Sequence, residues 1–150
     1  MAIRRTLRFL LIGLALTAAA LPSPRLIDGT DAPATLPKPA IVLFWAAWCA
    51  PCRAEVRDYA MLEKAAGDVP LIVLSAEGGT RAQNLLSNVP PTHRRFPADA
   101  KSDILAAYPA TRGALPFAMA VDRKGRICAR HAAAAIDAGT IAIWRERCGR

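Results

Sequence analysis

The chain has 150 residues, of which 53 % are apolar and 21 % charged, a balance that suits one folded domain and excludes an intrinsically disordered chain. The formal net charge is +8, and residues 21–150 alone carry 17 basic against 12 acidic side chains. No run of Lys and Arg is longer than two residues and no nucleic-acid-binding motif is present, so we expect no nucleic-acid partner.

The first 21 residues have the layout of a secretory signal. Arg4, Arg5 and Arg8 precede an apolar run over residues 9–21, and small alanines occupy positions 18–20. A basic start, a short apolar run and small residues together predict export with cleavage. Because the run is shorter than the roughly 20 residues that cross a bilayer, an uncleaved membrane anchor is the alternative.

Residues 22–35 are predicted to be a spacer or irregular lead-in, since prolines are frequent there and bulky residues are few. Nothing further along the chain marks a second domain. We therefore expect a signal segment or anchor over 1–21, a spacer over 22–35 and a single domain over 36–150.

The first half of this domain has the pattern of strand, helix and strand. Residues 41–45 form a continuous apolar run typical of a strand buried on both faces. Pro51 suits the first turn of a helix, and Gly67 is a natural stop for it. Residues 71–74 repeat the buried-strand pattern. A right-handed crossover that makes the two strands parallel follows from this order.

The second half is predicted to contain two short helices, a hairpin and a final helix. Residues 80–86 and about 101–108 suit the short helices, and a proline-rich stretch over 89–99 between them is expected to be irregular. Residues 117–121 and 125–130 flank a tight turn and predict a hairpin. Asp137 is placed to begin the last helix.

The chemistry-bearing motif is Cys49-Ala50-Pro51-Cys52, at the junction of the first predicted strand and helix. Unpaired N–H groups at a helix start favour a thiolate at Cys49, and Cys52 lies one turn along, where it can close or resolve a disulfide. A zinc site or a static disulfide is the structural alternative. Zinc would need a second pair at similar spacing, whereas Cys128 and Cys148 are far apart, so the motif indicates redox exchange.

Around this motif the sequence resembles the thioredoxin superfamily, and within it the exported TlpA/ResA-like thiol-disulfide proteins. The resemblance covers residues 36–148 and is carried by residues 44–55, 113–116 and 122–127. It implies an α/β, thioredoxin-like fold with a central mixed β-sheet flanked by helices. It also implies a cis peptide bond between Leu115 and Pro116, beside the active-site disulfide, where the backbone pairs with a bound partner chain.

Three further site expectations concern residues around the motif. Members of the family carry a carboxylate at the position of Glu55, which could relay protons to Cys52; the alternative is a solvated Glu on the helix surface. Trp48 is expected to shelter the disulfide and help to bind the partner. Arg57 stands where many relatives have a kinking proline, so the helix is expected to run straighter.

The expected activity is thiol-disulfide exchange that reduces disulfides in partner proteins, because no His between Cys49 and Cys52 stabilises the thiolate further. The resemblance implies roles such as keeping apocytochrome c cysteines reduced in an oxidising compartment, with electrons from a membrane thiol-disulfide donor. No cofactor and no metal are expected, and the protein is expected to be a monomer. The alternatives are a copper-binding, metallochaperone-like protein on the same fold and a periplasmic thiol oxidase or isomerase.

The remaining cysteines, Cys128 and Cys148, are expected to form a structural disulfide. Ile141, Trp144 and Cys148 share one face of the predicted last helix, and Cys128 lies in the strand against which that helix should pack. An oxidising compartment permits such a bond. The alternative is two separate small buried residues.

Overall fold

The computed structural model describes residues 23–150; the predicted signal or anchor over 1–21 lies outside them, and so does the first residue of the predicted spacer. The strands and helices follow in this order: β1 (Leu26–Ile27), β2 (Pro33–Ala34), β3 (Ala40–Trp45), α1 (Ala50–Arg57), α2 (Tyr59–Ala66), β4 (Leu71–Ser75), α3 (Thr80–Leu85), β5 (Arg94–Pro97), α4 (Ile104–Ala107), β6 (Phe117–Val121), β7 (Ile127–Ala132) and α5 (Ala138–Cys148). Single 3-10 turns at Pro91–His93 and Pro109–Thr111 precede β5 and β6.

The strands form one mixed sheet in the order β2-β1-β5-β4-β3-β6-β7. The predicted parallel pair is β3 and β4, joined by the α1–α2 crossover, and β5 extends it in parallel. The predicted hairpin is β6 and β7, with β6 antiparallel to β3. This is the α/β arrangement expected from the sequence, with a mixed sheet and helices against it.

Strand β3 is buried on both faces, because its side chains alternate between two apolar cores. Ile41, Leu43 and Trp45 face the core that holds the buried side chains of α1, α2 and α5. Val42 and Phe44 face the core that includes Ile104 of α4. The continuous apolar run at 41–45 is thus explained by burial on both sides.

The helix after β3 is interrupted, which corrects the expectation of a straighter helix. Asp58 has φ −92° and ψ 11°, and it separates α1 from α2 although no proline is present. At the break, the Asn88 side-chain amide donates to the carbonyl of Val56. In an unbroken helix that carbonyl would accept from the N–H of residue 60, so a side chain from outside the helix replaces a helical hydrogen bond.

Two further differences concern β5 and the lead-in. The stretch expected to be irregular contains β5, and the stretch expected to be a spacer contains β1 and β2, of which β1 pairs with β5. Arg95 of β5 is only 8 % exposed, and its guanidinium donates to the carbonyls of Thr35, Thr92 and Arg94 at 2.8, 2.7 and 2.8 Å. A polar, proline-containing segment therefore enters the sheet, because three backbone carbonyls accept hydrogen bonds from its buried arginine.

Within residues 23–150, no helix has both the length and the apolar character needed to span a membrane.

Candidate active site

Cys49 and Cys52 are joined by a disulfide at the start of α1, with an S–S distance of 2.02 Å and a Cα–Cα distance of 5.3 Å. Cys49 is the N-cap of the helix, and the backbone N–H of Cys52 points at the Cys49 sulfur at 3.3 Å. Pro51 occupies the first turn, where its missing N–H costs nothing. In the reduced protein, the free N–H groups of this turn and the helix dipole stabilise a thiolate on Cys49.

The loop that carries the disulfide leaves the carboxyl end of β3 and is supported by the neighbouring strand. The N–H of Ala76, just after β4, donates to Trp45 O at 2.7 Å, and the N–H of Ala47 donates to a carboxylate oxygen of Glu77. Glu77 was not identified from the sequence. The available signal was its position just after β4, because the carboxyl ends of parallel strands meet at one edge of a sheet.

Trp48 lies immediately before Cys49 and is 68 % exposed, although tryptophan is usually well buried. Both cysteines next to it are buried, at 4 % and 0 % exposure. An exposed indole at the edge of a buried disulfide offers apolar contact area to a partner chain.

Leu115 and Pro116 lie at the same end of the sheet as the disulfide. Phe44 pairs with Phe117 across β3 and β6, so the segment before β6 sits beside the carboxyl end of β3. The Leu115–Pro116 peptide bond is cis. A cavity of about 460 Å³ next to this segment is lined by residues that include Thr111, Arg112, Leu115, Pro116, His131 and Ala132.

Glu55, one helical turn after Cys52, is buried with 3 % exposure, and this excludes the surface alternative. Its Oε1 accepts a hydrogen bond from the backbone N–H of Ile136 at 2.8 Å, whereas its Oε2 has no partner among the described residues. Burial raises the pKa of the Glu55 carboxyl to about 7, against the opposing effect of the Ile136 N–H. A carboxyl with this pKa exchanges protons near neutral pH.

Cys128 and Cys148 are joined by a second disulfide, with an S–S distance of 2.05 Å and a Cα–Cα distance of 6.1 Å. The bond connects β7 to the end of α5, whose buried face also includes Ile141 and Trp144. Ala120 and Val121 of β6 lie opposite this part of β7, and Val121 pairs with Ala40 at the start of β3. The second disulfide is therefore at the end of the sheet away from Cys49.

Among residues 23–150, no three His, Cys, Asp or Glu side chains are grouped so that they could hold a metal ion. His131, the histidine considered for a copper site, lies on β7 opposite Ala118.

The chain has no match among protein-family models or among curated proteins. Among solved structures, it is similar to a secreted Mycobacterium tuberculosis disulfide oxidoreductase described as homologous to E. coli DsbE, with 21 % identity, a TM-score of 0.63, and coverage of 83 % of this chain and 95 % of that one. A thioredoxin-related protein from Neisseria meningitidis serogroup B gives 24 % identity, a TM-score of 0.64, and coverage of 81 % and 96 %.

A thio-disulfide isomerase from Thermus thermophilus is 29 % identical, with a TM-score of 0.57 and coverage of 82 % of this chain and 88 % of that one. These proteins share the sheet and helices described above, and their names agree with the redox chemistry that a Cys-x-x-Cys pair at a helix start supports. The chain therefore has the thioredoxin-like fold that the sequence resemblance implied, and it carries a Cys-x-x-Cys disulfide at the start of a helix.

Proposed function

We propose that this protein is exported and reduces disulfides in partner proteins through Cys49 and Cys52. The observation that carries the proposal is the position of Cys49 as the N-cap of α1, with the Cys52 N–H aimed at its sulfur. This arrangement stabilises the attacking thiolate and holds the resolving thiol one turn away.

In the first step, the Cys49 thiolate attacks one sulfur of the partner's disulfide, and the other partner sulfur leaves as a thiolate. The Cys52 thiolate then attacks the Cys49 sulfur, which releases the second partner thiolate and leaves the Cys49–Cys52 disulfide. Two electrons have passed to the partner. A membrane thiol-disulfide donor returns them, because an oxidising compartment does not.

Glu55 has the role of proton acceptor for Cys52 in this proposal. It lies one turn beyond Cys52 on the same helix, is buried, and has one carboxylate oxygen without a partner among the described residues. Its raised pKa lets it take a proton from the Cys52 thiol and return it to solvent or to the leaving group near neutral pH.

Trp48, Leu115 and Pro116 are proposed to bind the partner chain. Trp48 supplies an exposed apolar surface beside Cys49, and the segment before β6 lies at the same end of the sheet with a cavity next to it. An extended chain laid across these residues would bring its disulfide to Cys49.

Export is supported by the pattern of residues 1–21, and by two similar structures, one described as secreted and the other as an exposed lipoprotein thioredoxin. The proposed partners are exported proteins whose cysteines must stay reduced, of which apocytochrome c is one class. We propose that the protein works as a monomer.

The experiment that tests the proposal uses the Cys52→Ser variant, which stops the reaction at the mixed disulfide. Expressed in a cell envelope, this variant should carry covalently trapped proteins on Cys49, and mass spectrometry identifies them. The Cys49→Ser, Cys52→Ser double variant is the control. Equal capture by both variants would contradict the assignment of Cys49 as the nucleophile.

The direction of electron flow is tested separately by equilibration of the protein with glutathione buffers of known potential. A reductase should stay oxidised in buffers that reduce a strong thiol oxidase. A reduction potential close to that of strong oxidases would instead support the thiol oxidase alternative.

A further inference from the structure

A second cavity, distinct from the one beside Pro116, lies on the flank of α1. It measures about 310 Å³ and is lined by Trp45, Arg53, Val56, Arg57, Leu85 and Asn88. Arg53 directly follows Cys52 in α1, and Arg57 lies one turn further along the same helix.

The polar groups of this cavity are mainly hydrogen-bond donors. Arg53 and Arg57 are exposed and stand one turn apart on the same face of α1. Within the described part of the chain, neither guanidinium has a carboxylate at ion-pair distance. Two adjacent cations without counterions attract an anionic group.

Trp45 also lines the cavity, and it carries a donor that has no partner within residues 23–150. Its side chain is 1 % exposed, and its indole N–H is buried without a hydrogen-bond acceptor among residues 23–150. Buried polar groups in native proteins almost always have a partner. A carboxylate held between the two arginines would bring an acceptor to this side of the molecule.

Part of the cavity lining is apolar. Leu85, at the end of α3, is 44 % exposed, and the buried Val56 adds apolar surface from α1 itself. The cavity therefore offers both positive charge and an apolar contact. A peptide that carries Glu or Asp beside an apolar residue complements both.

We propose that this cavity, which we call the α1 groove, binds an acidic segment of the protein substrate next to its reacting cysteine. The inference rests on the proposed function and names a property of the substrate. Arg57 follows Cys49 by eight positions, which is about 12 Å along a helix axis. An extended peptide covers this distance in about four residues, so the acidic residues lie within about four positions of the cysteine.

The test uses peptides with one cysteine, activated as the mixed disulfide with 2-thiopyridone. The test peptide carries four Glu residues next to the cysteine and is made in two versions, with the Glu residues on its amino-terminal or on its carboxyl-terminal side. In each control peptide, four Gln residues replace the four Glu residues. The prereduced protein forms its Cys49–Cys52 disulfide and releases the peptide thiol and 2-thiopyridone, whose absorbance reports the rate. The neutral reagent 2,2′-dipyridyl disulfide reports exchange that needs no groove.

The expected result is a second-order rate constant about tenfold higher for the Glu peptide than for the Gln peptide at low ionic strength, and a ratio near one in 0.5 M salt. In Arg53→Glu, Arg57→Glu the ratio should fall below one. Because the same variant attacks both peptides, the ratio cancels any change in thiol reactivity.

The matched control is Arg123→Glu, Lys124→Glu, which makes the same change of charge in the β6–β7 turn at the opposite end of the sheet. It should keep the ratio of the unmodified protein. A ratio of one in the unmodified protein, or an equal loss of preference in the control, overturns the α1 groove. If the protein reduces none of the three kinds of reagent, the proposed function is overturned as well. Loss of the peptide preference alone overturns only the α1 groove, so the two failures are distinguishable.

A binding measurement tests the location directly. In the oxidised protein, the NMR signal of the Trp45 indole N–H, assigned with Trp45→Phe, should shift when the Glu peptide with Ser in place of Cys is added. The Gln peptide should leave it in place. If the Trp45 indole N–H signal does not shift on addition of the Glu peptide, the preference for acidic peptides cannot be assigned to this groove.

Discussion

Glu55 shows how one buried carboxyl links stability to pH. Its pKa is raised from an ordinary 4.5 to about 7, chiefly because burial disfavours the charged form. The folded protein therefore holds the Glu55 proton more tightly than the unfolded chain does. Between these two pKa values the native state binds more protons, so the free energy of unfolding falls as the pH rises.

We expect the free energy of unfolding of the oxidised protein to fall by about 3 kcal/mol between pH 4.5 and pH 8 on account of Glu55. Asp28, Asp122 and Asp137 have lowered pKa values, so their contributions vary only below this window. In Glu55→Gln, a neutral amide that still accepts from the Ile136 N–H, the slope should disappear. Urea denaturation at several pH values measures both proteins, and parallel curves would contradict the assignment.

The same substitution tests the role of Glu55 in exchange. If Glu55 accepts the Cys52 proton, Glu55→Gln should slow resolution of the mixed disulfide by about tenfold or more near pH 7, since general bases contribute factors of this size or larger. The loss should shrink at high pH, where Cys52 ionises unaided. Stopped-flow release of a partner thiol measures this step. A pH profile unchanged by the substitution would leave Glu55 with a structural role only.

At the scale of the elements, the hydrogen bonds of Arg95 hold β5 and the lead-in segment in the sheet. Its three hydrogen bonds reach Thr35 in the lead-in, Thr92 in the turn before β5 and Arg94 at the start of β5, and the residue is buried. Arg95→Lys keeps the charge but cannot reproduce the planar fork of donors. The carbonyls left without a partner then weaken the β1–β5 edge.

We expect Arg95→Lys to lower the free energy of unfolding by about 2 kcal/mol and to speed hydrogen exchange in β1 and β5 before the rest of the sheet. Arg81→Lys, at an exposed position on α3, is the matched control and should change stability little. Equal stability of the two variants would show that the Arg95 hydrogen bonds contribute nothing net.

The sequence predicted best the elements that consist of continuous runs of apolar residues. Strands β3, β4 and β6 are continuous apolar runs, and the turn at residues 122–125 is signalled by Asp and Gly. Strand β5 was missed because Arg-Arg-Phe-Pro has no such run, and its burial depends on carbonyls elsewhere in the chain. The two-residue strands β1 and β2 depend in turn on β5.

The residues of the candidate active site differ in the same way: those marked by a local pattern were predicted, and those brought in by the tertiary fold were not. Cys49, Cys52 and Pro116 are identifiable because local spacing and resemblance single them out. Glu77 is signalled only by its position just after β4, and the Ile136 N–H has no signal at all, since each reaches this region from a loop distant in sequence. Such contacts depend on the tertiary fold, and periodicity along the chain carries no signal of them.

For the whole molecule, the two disulfides lie at opposite ends of one sheet. We therefore expect one of them to carry out thiol-disulfide exchange and the other to stabilise the fold. The Cys49–Cys52 pair lies at the carboxyl end of β3, and the Cys128–Cys148 pair closes α5 onto β7 near the other end. Cys148 is 2 % exposed and lies in the core at the end of α5, whereas Cys128 is partly buried on β7, so neither cysteine is at a helix start. A thiol there lacks the N–H groups that favour a thiolate.

Removing the second disulfide should therefore destabilise the fold and spare exchange. The pair closes a loop with a sequence separation of 20, so Cys128→Ala, Cys148→Ala should lose about 3 kcal/mol of unfolding free energy by the chain-entropy argument. Its rate of disulfide reduction at 25 °C should stay within about twofold of the unmodified protein, because the change is far from Cys49. Cys49→Ala, Cys52→Ala is the reciprocal control, inactive by design. Peptide mapping of the purified protein without reduction establishes the pairing, and alkylatable thiols at both Cys128 and Cys148 would refute it.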